Sequence, residues 1–202
     1  MESPDTFTLL PIEMDPQTKA ITPTHPSNPK NLTLELTTLN ALHRALQSPD
    51  CTTNVPPPPI PVNPKRSANI GKLRETGNTH HKKGAYADAI KMYSLGIDMA
   101  LGRPAWEPAN LVREELAGLY ANRAQSRMAL QQWPEGSADA QCSVELKRVG
   151  NAKAWWRRGR CLVEMGRVEE AREWVKQAME FESGEKDLVD LAREIEGRKG
   201  GK

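Results

Sequence analysis

Three pairs of small residues stand twelve positions apart in this chain: Gly77 and Ala89, Ala124 and Gly136, Gly159 and Ala171. No other feature restricts the fold as tightly. Small residues recurring in register with large apolar ones mark points where paired helices approach closely, within a repeated unit. The first unit adds Leu73, Gly84, Tyr86, Tyr93 and Gly96; the second adds Tyr120, Trp133, Ala140 and Ser143. The third adds Trp155, Leu162, Gly166, Val175 and Ala178. The second and third units lie 35 residues apart by these landmarks, the first and second 47. About 13 residues are therefore added between the first two, around Gly102–Pro108, as a longer loop and lengthened helices. Pro134 falls in the first turn of its helix, where a missing N–H costs little.

The pattern is similar to that of the tetratricopeptide repeat, a helix-turn-helix unit of about 34 residues. The resemblance implies a mostly α fold: a three-repeat solenoid over residues 65–183, right-handed, with a concave groove lined by the first helix of each repeat. A solenoid needs its last apolar face covered. Leu188, Leu191, Ala192 and Ile195 supply the stripe of a capping helix over 184–197, and residues 198–202 form a frayed tail.

The formal charge of +2 conceals a division: the chain to Pro59 carries −3 and the remainder +5. Of 16 prolines, 13 lie at or before Pro64. Residues 1–47 are expected to form a small hairpin and helix. Phe7–Met14 reads as a strand and Lys19–Thr22 as its return, with Asp15-Pro16-Gln17-Thr18 as the turn. Leu32, Leu36, Leu39, Leu42 and Leu46 recur near a 3.6 period and share a helical face. One hairpin and one helix bury little core alone. Two readings of this segment stand: a cap on the rest of the chain, or a docking element completed by a partner. Residues 48–64, with Pro56-Pro57-Pro58-Pro59, read as a stiff extended linker, though such a run also has the form of an SH3-type ligand.

Composition excludes several classes. No apolar run reaches the ~18–20 residues of a membrane-spanning helix. The acidic start Met1–Asp5 lacks the apolar core of a secretory leader, and no lipidation motif is present. Cys51, Cys142 and Cys161 show no CxxC spacing, so neither a disulfide framework nor a zinc site is expected; Cys142 and Cys161 should be buried thiols. His80 and His81 point about 100° apart on a helix and lack a completing ligand, so one is expected packed and one solvated. There is no phosphate-binding loop, nucleophile elbow or HExxH motif, hence no catalytic residue, cofactor or metal is assigned. The run Lys153–Arg160 interleaves cations and tryptophans as nucleic-acid sites do, but its helical phase assigns Trp155, Gly159 and Leu162 to packing. Only Arg158, Arg160 and Trp156 remain for another surface, and no nucleic-acid partner is expected.

Polar residues on the groove helices carry the functional signal. Arg74 and Asn78 are four apart on the first helix; Asn122 lies on the matching helix of repeat two; Lys153 and Arg157 are four apart on that of repeat three. These five resemble the dicarboxylate clamp of chaperone-binding repeat domains, which holds a peptide ending Glu-Glu-Val-Asp. Arg74 departs from the lysine usual there, keeping the charge but altering its geometry. Cations and amide donors suit two carboxylates that a neutral groove would leave unpaired.

The layout of docking segment, proline linker and one clamp domain resembles the small soluble repeat subunit of the fungal Sec post-translational translocation complex. That resemblance implies an adaptor on the cytosolic face of the endoplasmic reticulum. It would receive seventy-kilodalton chaperones and contact membrane-anchored Sec subunits through its N-terminal segment. A co-chaperone for the ninety-kilodalton class and a purely structural scaffold are the alternatives.

Overall fold

The computed structural model describes residues 11–24, 30–47, 51 and 55–197. Phe7–Leu10 of the expected first strand, most of residues 48–54 and the tail 198–202 lie outside them. The chain divides into two compact units. One takes in the chain to Pro59 and the three residues Pro104–Trp106; the other comprises Ile60–Arg103 and Glu107–Lys202.

In the first unit, β1 (Ile12–Met14) pairs antiparallel with β2 (Ile21–Pro23), Glu13 opposite Thr22. The return strand thus starts two residues later than the sequence suggests, because the turn is longer. The Asp15 carboxylate accepts from the Gln17 and Thr18 amides at 2.9 and 2.6 Å, and Lys19 takes a left-handed φ of 57°. The Thr18 and Gln17 hydrogen bonds hold the Asp15 carboxyl below its ordinary pKa. Helix α1 (Lys30–Leu46) then packs on β2. Its Asn40 amide clasps the Ile21 backbone, donating to the carbonyl and accepting from the N–H, both at 2.8 Å. That clasp sets the rotation of the helix: Leu32 and Leu36 are buried, whereas Leu39, expected on the same face, is 46% exposed.

The second unit is a run of seven helices: α2 (Pro64–Lys82), α3 (Tyr86–Leu101), α4 (Ala109–Ala129), α5 (Trp133–Leu146), α6 (Ala152–Glu164), α7 (Val168–Phe181) and α8 (Lys186–Gly197). Asn63 caps α2 by accepting from the Lys65 amide at 3.1 Å, with Pro64 in the first turn. Each helix packs on the next. In addition α2 touches α4, α4 touches α6 and α6 touches α8, whereas α3, α5 and α7 make no such contacts among themselves. The even-numbered helices therefore form a continuous inner layer, as a repeat solenoid requires.

The small residues sit where they must. A Cβ on Gly77 would meet the Tyr93 ring at 2.5 Å, and one on Gly159 would meet Leu191 and Val175 at 2.9 and 3.0 Å. Ala89, Ala124 and Ala171 are wholly buried. The core runs from Ile70, Tyr93 and Leu119 through Val144 and Trp155 to Leu162, Val175, Leu191 and Ile195. The added residues between repeats one and two lengthen α4 to 21 residues. They are anchored by Arg103, whose guanidinium reaches Glu115 at 2.6 and 2.9 Å, Ser67 at 2.8 Å, and Glu107. Of the two expected buried thiols, Cys161 is fully buried, which pushes its pKa up to about 12, while Cys142 is only half-buried.

Candidate functional site

All five proposed groove residues lie on the inner layer: Arg74 and Asn78 on α2, Asn122 on α4, Lys153 and Arg157 on α6. Residues four apart on one helix share a face, so Arg74 lies beside Asn78 and Lys153 beside Arg157 along their helices. Asn78 and Asn122 meet directly. The Asn122 amide donates to the Asn78 oxygen at 3.0 Å, and the Tyr93 hydroxyl donates to the same oxygen at 2.8 Å. With that oxygen occupied, the Asn78 NH2 is turned outward, where it lies 3.3 Å from the exposed Glu75 carboxylate. Burial raises the Tyr93 pKa, which keeps its hydroxyl a donor.

Arg157 is not the solvated cation that a helix surface usually carries. It is 8% exposed, with its guanidinium donating to the Ala121 carbonyl at 3.1 Å and to the Gln125 side chain at 2.8 Å. Among the described residues no carboxylate lies within 4 Å of it. Burial without a counter-ion lowers its pKa to about 10, so it remains charged at neutral pH. A buried cation held by dipoles alone is costly, and such positions are candidates for function.

Lys153 is exposed and lines, with Arg157, a cleft of about 330 Å³ whose other walls include Gln125, Met128, Trp156 and Leu188. Arg74 sits at the far end of the row, its guanidinium beside Gly118 of α4 and 3.6 Å from Glu75. The structure thus joins Asn78 to Asn122 and sets Lys153 with Arg157 on a cleft whose walls include neither asparagine, with Arg74 one turn before Asn78 on α2.

Sequence reasoning placed Tyr93 among the packing positions and His81 outside any site, and did not single out Gln125. Gln125 is three residues from Asn122 and so falls on the same face, a signal that was available. His81 bonds the buried Ser126 hydroxyl at 2.9 Å and lies against Tyr86, so it and the half-buried His80 do not divide into one packed and one solvated ring. Burial, reinforced by the Arg157 charge, lowers the His81 pKa. Trp156 faces this cleft rather than a separate surface, because α8 closes its side. Arg160 is committed to Glu194 of α8 at 2.6 and 2.9 Å, and Arg158 lies over the Trp174 ring at 4.2 Å. Among the described residues no group of His, Cys, Asp or Glu is placed to hold a metal, and no helix is long and apolar enough to cross a membrane.

The fold is that of a tetratricopeptide-repeat solenoid, three helix pairs followed by a capping helix. No protein-family model matches the chain. It resembles the endoplasmic-reticulum protein translocation subcomplex subunit sec67 of Schizosaccharomyces pombe, with 36% identity over 108 residues. The match covers 52% of this chain and 56% of that relative. A chain in the Sec complex of S. cerevisiae has the same fold at a TM-score of 0.78, covering 94% of this chain and 97% of that one at 22% identity. The first repeat domain of Spaghetti (RPAP3), bound to the HSP90 peptide SRMEEVD, is similar at TM-score 0.56 and 26% identity over 70% of this chain and 98% of that one. The second repeat domain of human RPAP3, in complex with the HSP70 peptide SGPTIEEVD, is similar at TM-score 0.53 and 27% identity, covering 65% and 98%.

Proposed function

We propose that the chain is a non-enzymatic adaptor whose inner groove holds the acidic C-terminal tail of a cytosolic heat-shock chaperone. Arg74, Asn78, Asn122, Lys153 and Arg157 are its carboxylate-binding residues. The observation that carries this is Arg157: a nearly buried cation with no carboxylate within 4 Å among the described residues, on a cleft shared with Lys153. An incoming carboxylate supplies the missing counter-charge, and each charge-assisted hydrogen bond contributes roughly 1.5–3 kcal/mol. Ordering a flexible tail offsets much of that sum, leaving an affinity of order micromolar.

The likeness to a translocation subunit supports a place on the cytosolic face of the endoplasmic reticulum membrane, where the chain recruits chaperones with precursor proteins. In this reading residues 1–47 form the docking segment for membrane-anchored Sec subunits. Ile12, Met14, Leu34 and Leu39, all exposed, give it an apolar surface to bury. The seventy-kilodalton class is favoured on the layout; a co-chaperone for the ninety-kilodalton class is the second reading, since similar domains hold either tail.

Titration calorimetry of the full chain with a peptide ending Glu-Glu-Val-Asp tests the site. Micromolar binding that weakens with salt and with C-terminal amidation, and that Lys153→Ala abolishes, is the expected result. Unchanged affinity in that variant would sink the assignment.

A further inference from the structure

The small sheet of the N-terminal unit has one closed edge and one open edge. Its ladder is bonded at Pro11, Glu13 and Asp15. The Thr24 amide donates to the Pro11 carbonyl at 3.1 Å, the Asp15 amide donates to the Ala20 carbonyl at 2.9 Å, and Glu13 stands opposite Thr22 between them. Alternation in an antiparallel pair then turns the N–H and C=O of Ile12 and Met14 away from β2. On the far side of β2 the matching groups belong to Ile21 and Pro23. Asn40 occupies both groups of Ile21 at 2.8 Å, and proline has no N–H, so that edge cannot extend the ladder. Along β1 no such device is present. Among the described residues the outward groups of Ile12 and Met14 have no partner. Their side chains share one face of the strand and are 48% and 55% exposed. Glu13 projects from the other face, with no cation within 4 Å among the described residues.

We propose that the outer edge of β1 is a strand-addition site. An extended segment of a different protein pairs there, apolar at the positions beside Ile12 and Met14 and basic opposite Glu13. This rests on the docking role proposed above for residues 1–47 and specifies how that docking is made. The backbone selects the kind of occupant: outward N–H and C=O groups at ladder spacing match an extended chain, not a helix, whose own groups are paired internally. The side chains select its sequence, because cross-strand neighbours are the unit of sheet stability and the order Ile12-Glu13-Met14 asks for a complementary alternation. The edge offers only the four backbone groups of Ile12 and Met14, so apolar contact with those two side chains is needed as well. A second copy of this chain does not fit. The symmetric antiparallel pairing of two β1 strands sets Glu13 against Glu13, and like charges directly opposite destabilise a sheet. The −3 carried by the chain to Pro59 adds to that repulsion and favours a basic segment.

The test uses the full chain, assembled by ligating synthetic residues 1–50 to residues 51–202 at Cys51, with purified Sec complex lacking this subunit as the probe. Biolayer interferometry compares the unmodified chain with one N-methylated at Met14, which removes an outward N–H and leaves the ladder to β2 intact. A loss of about tenfold in affinity is expected. Hydrogen exchange across residues 12–15 of the unmodified chain should slow in the complex, and Glu13→Lys should weaken binding about threefold. Undiminished binding of the N-methylated chain would overturn the strand-addition site. Self-association of the chain that the same methyl group abolishes would overturn it in favour of a second copy. In either case the docking role stands if Ile12→Ser/Met14→Ser/Leu34→Ser/Leu39→Ser still loses the Sec complex. Failure of the unmodified chain to bind the Sec complex overturns both.

Discussion

The side-chain amide of Asn122 and the side-chain oxygen of Asn78 are joined at 3.0 Å across the two inner helices α2 and α4. The same oxygen takes the Tyr93 hydroxyl at 2.8 Å. The two asparagines are therefore not equivalent. Asn122→Ala removes one donor from the groove and one part-buried hydrogen bond. It should cost about 1 kcal/mol of stability and about tenfold in peptide affinity. Asn78→Ala also strands the hydroxyl of Tyr93, which is 2% exposed, and should cost about 1–3 kcal/mol. Thermal melts beside calorimetric titrations separate the two effects; equal melting temperatures would contradict the geometry.

Arg157 places function and stability in opposition. Its guanidinium is buried and has no carboxylate partner among the described residues, so a hydrophobic side chain of similar length should suit the empty fold better. Arg157→Met should raise the melting temperature by a few degrees, corresponding to about 1 kcal/mol, while eliminating binding of the acidic peptide. The pH dependence has a definite sign. The folded pKa of about 10 lies below the unfolded guanidinium value, so the unfolded chain binds more protons between them. The wild-type stability deficit is therefore fully present below pH 10 and shrinks as pH rises above it, and the variant lacks that rise. Denaturant titrations on either side of pH 10 measure the difference.

The repeat was legible because close approach is a distance constraint. At Gly77 and Gly159 any Cβ collides with an aromatic or branched side chain, so the spacing itself records the packing. The positions of Arg74, Asn78, Asn122, Lys153 and Arg157 on inner helices followed from the same phase. What periodicity did not convey was depth. Arg157 is buried because Gln125 and the Ala121 carbonyl satisfy it, and Trp156 reaches the cleft because α8 narrows it. Both depend on neighbours 30 or more residues away. In the N-terminal unit the leucine stripe was visible, but the Asn40 clasp on Ile21 decides which leucines are covered.

The residues added between repeats one and two hang on one buried charge. The Arg103 side chain is 1% exposed and pairs with Glu107 and Glu115, each 13% exposed. Burial opposes its charge, but hydrogen bonds and charge from Glu115 and Glu107 outweigh that and raise its pKa. Arg103→Met would leave two carboxylates facing each other in a poorly solvated site and should destabilise the chain by about 3 kcal/mol. Combining it with Glu115→Gln should recover part of the loss, and the double-mutant cycle reads the coupling directly. Additive losses would show that the network contributes nothing as a unit.

The turns between the paired helices offer a change in the opposite direction. Gly84 and Gly166 occupy equivalent turns with φ of 76° and 74°, and at the matching place in repeat two stands Gln131 with φ of 58°. A side chain in the left-handed region costs roughly 1–2 kcal/mol, whereas glycine enters it freely but loses more entropy on folding. Gln131 is exposed, so its replacement leaves no cavity. Gln131→Gly should therefore stabilise the solenoid by about 0.5–1 kcal/mol, and Gly84→Gln should destabilise it by a similar or larger amount. Paired chemical denaturation curves with unchanged slopes would establish both shifts, and a loss of stability in Gln131→Gly would show that the turn is held by something other than its backbone conformation.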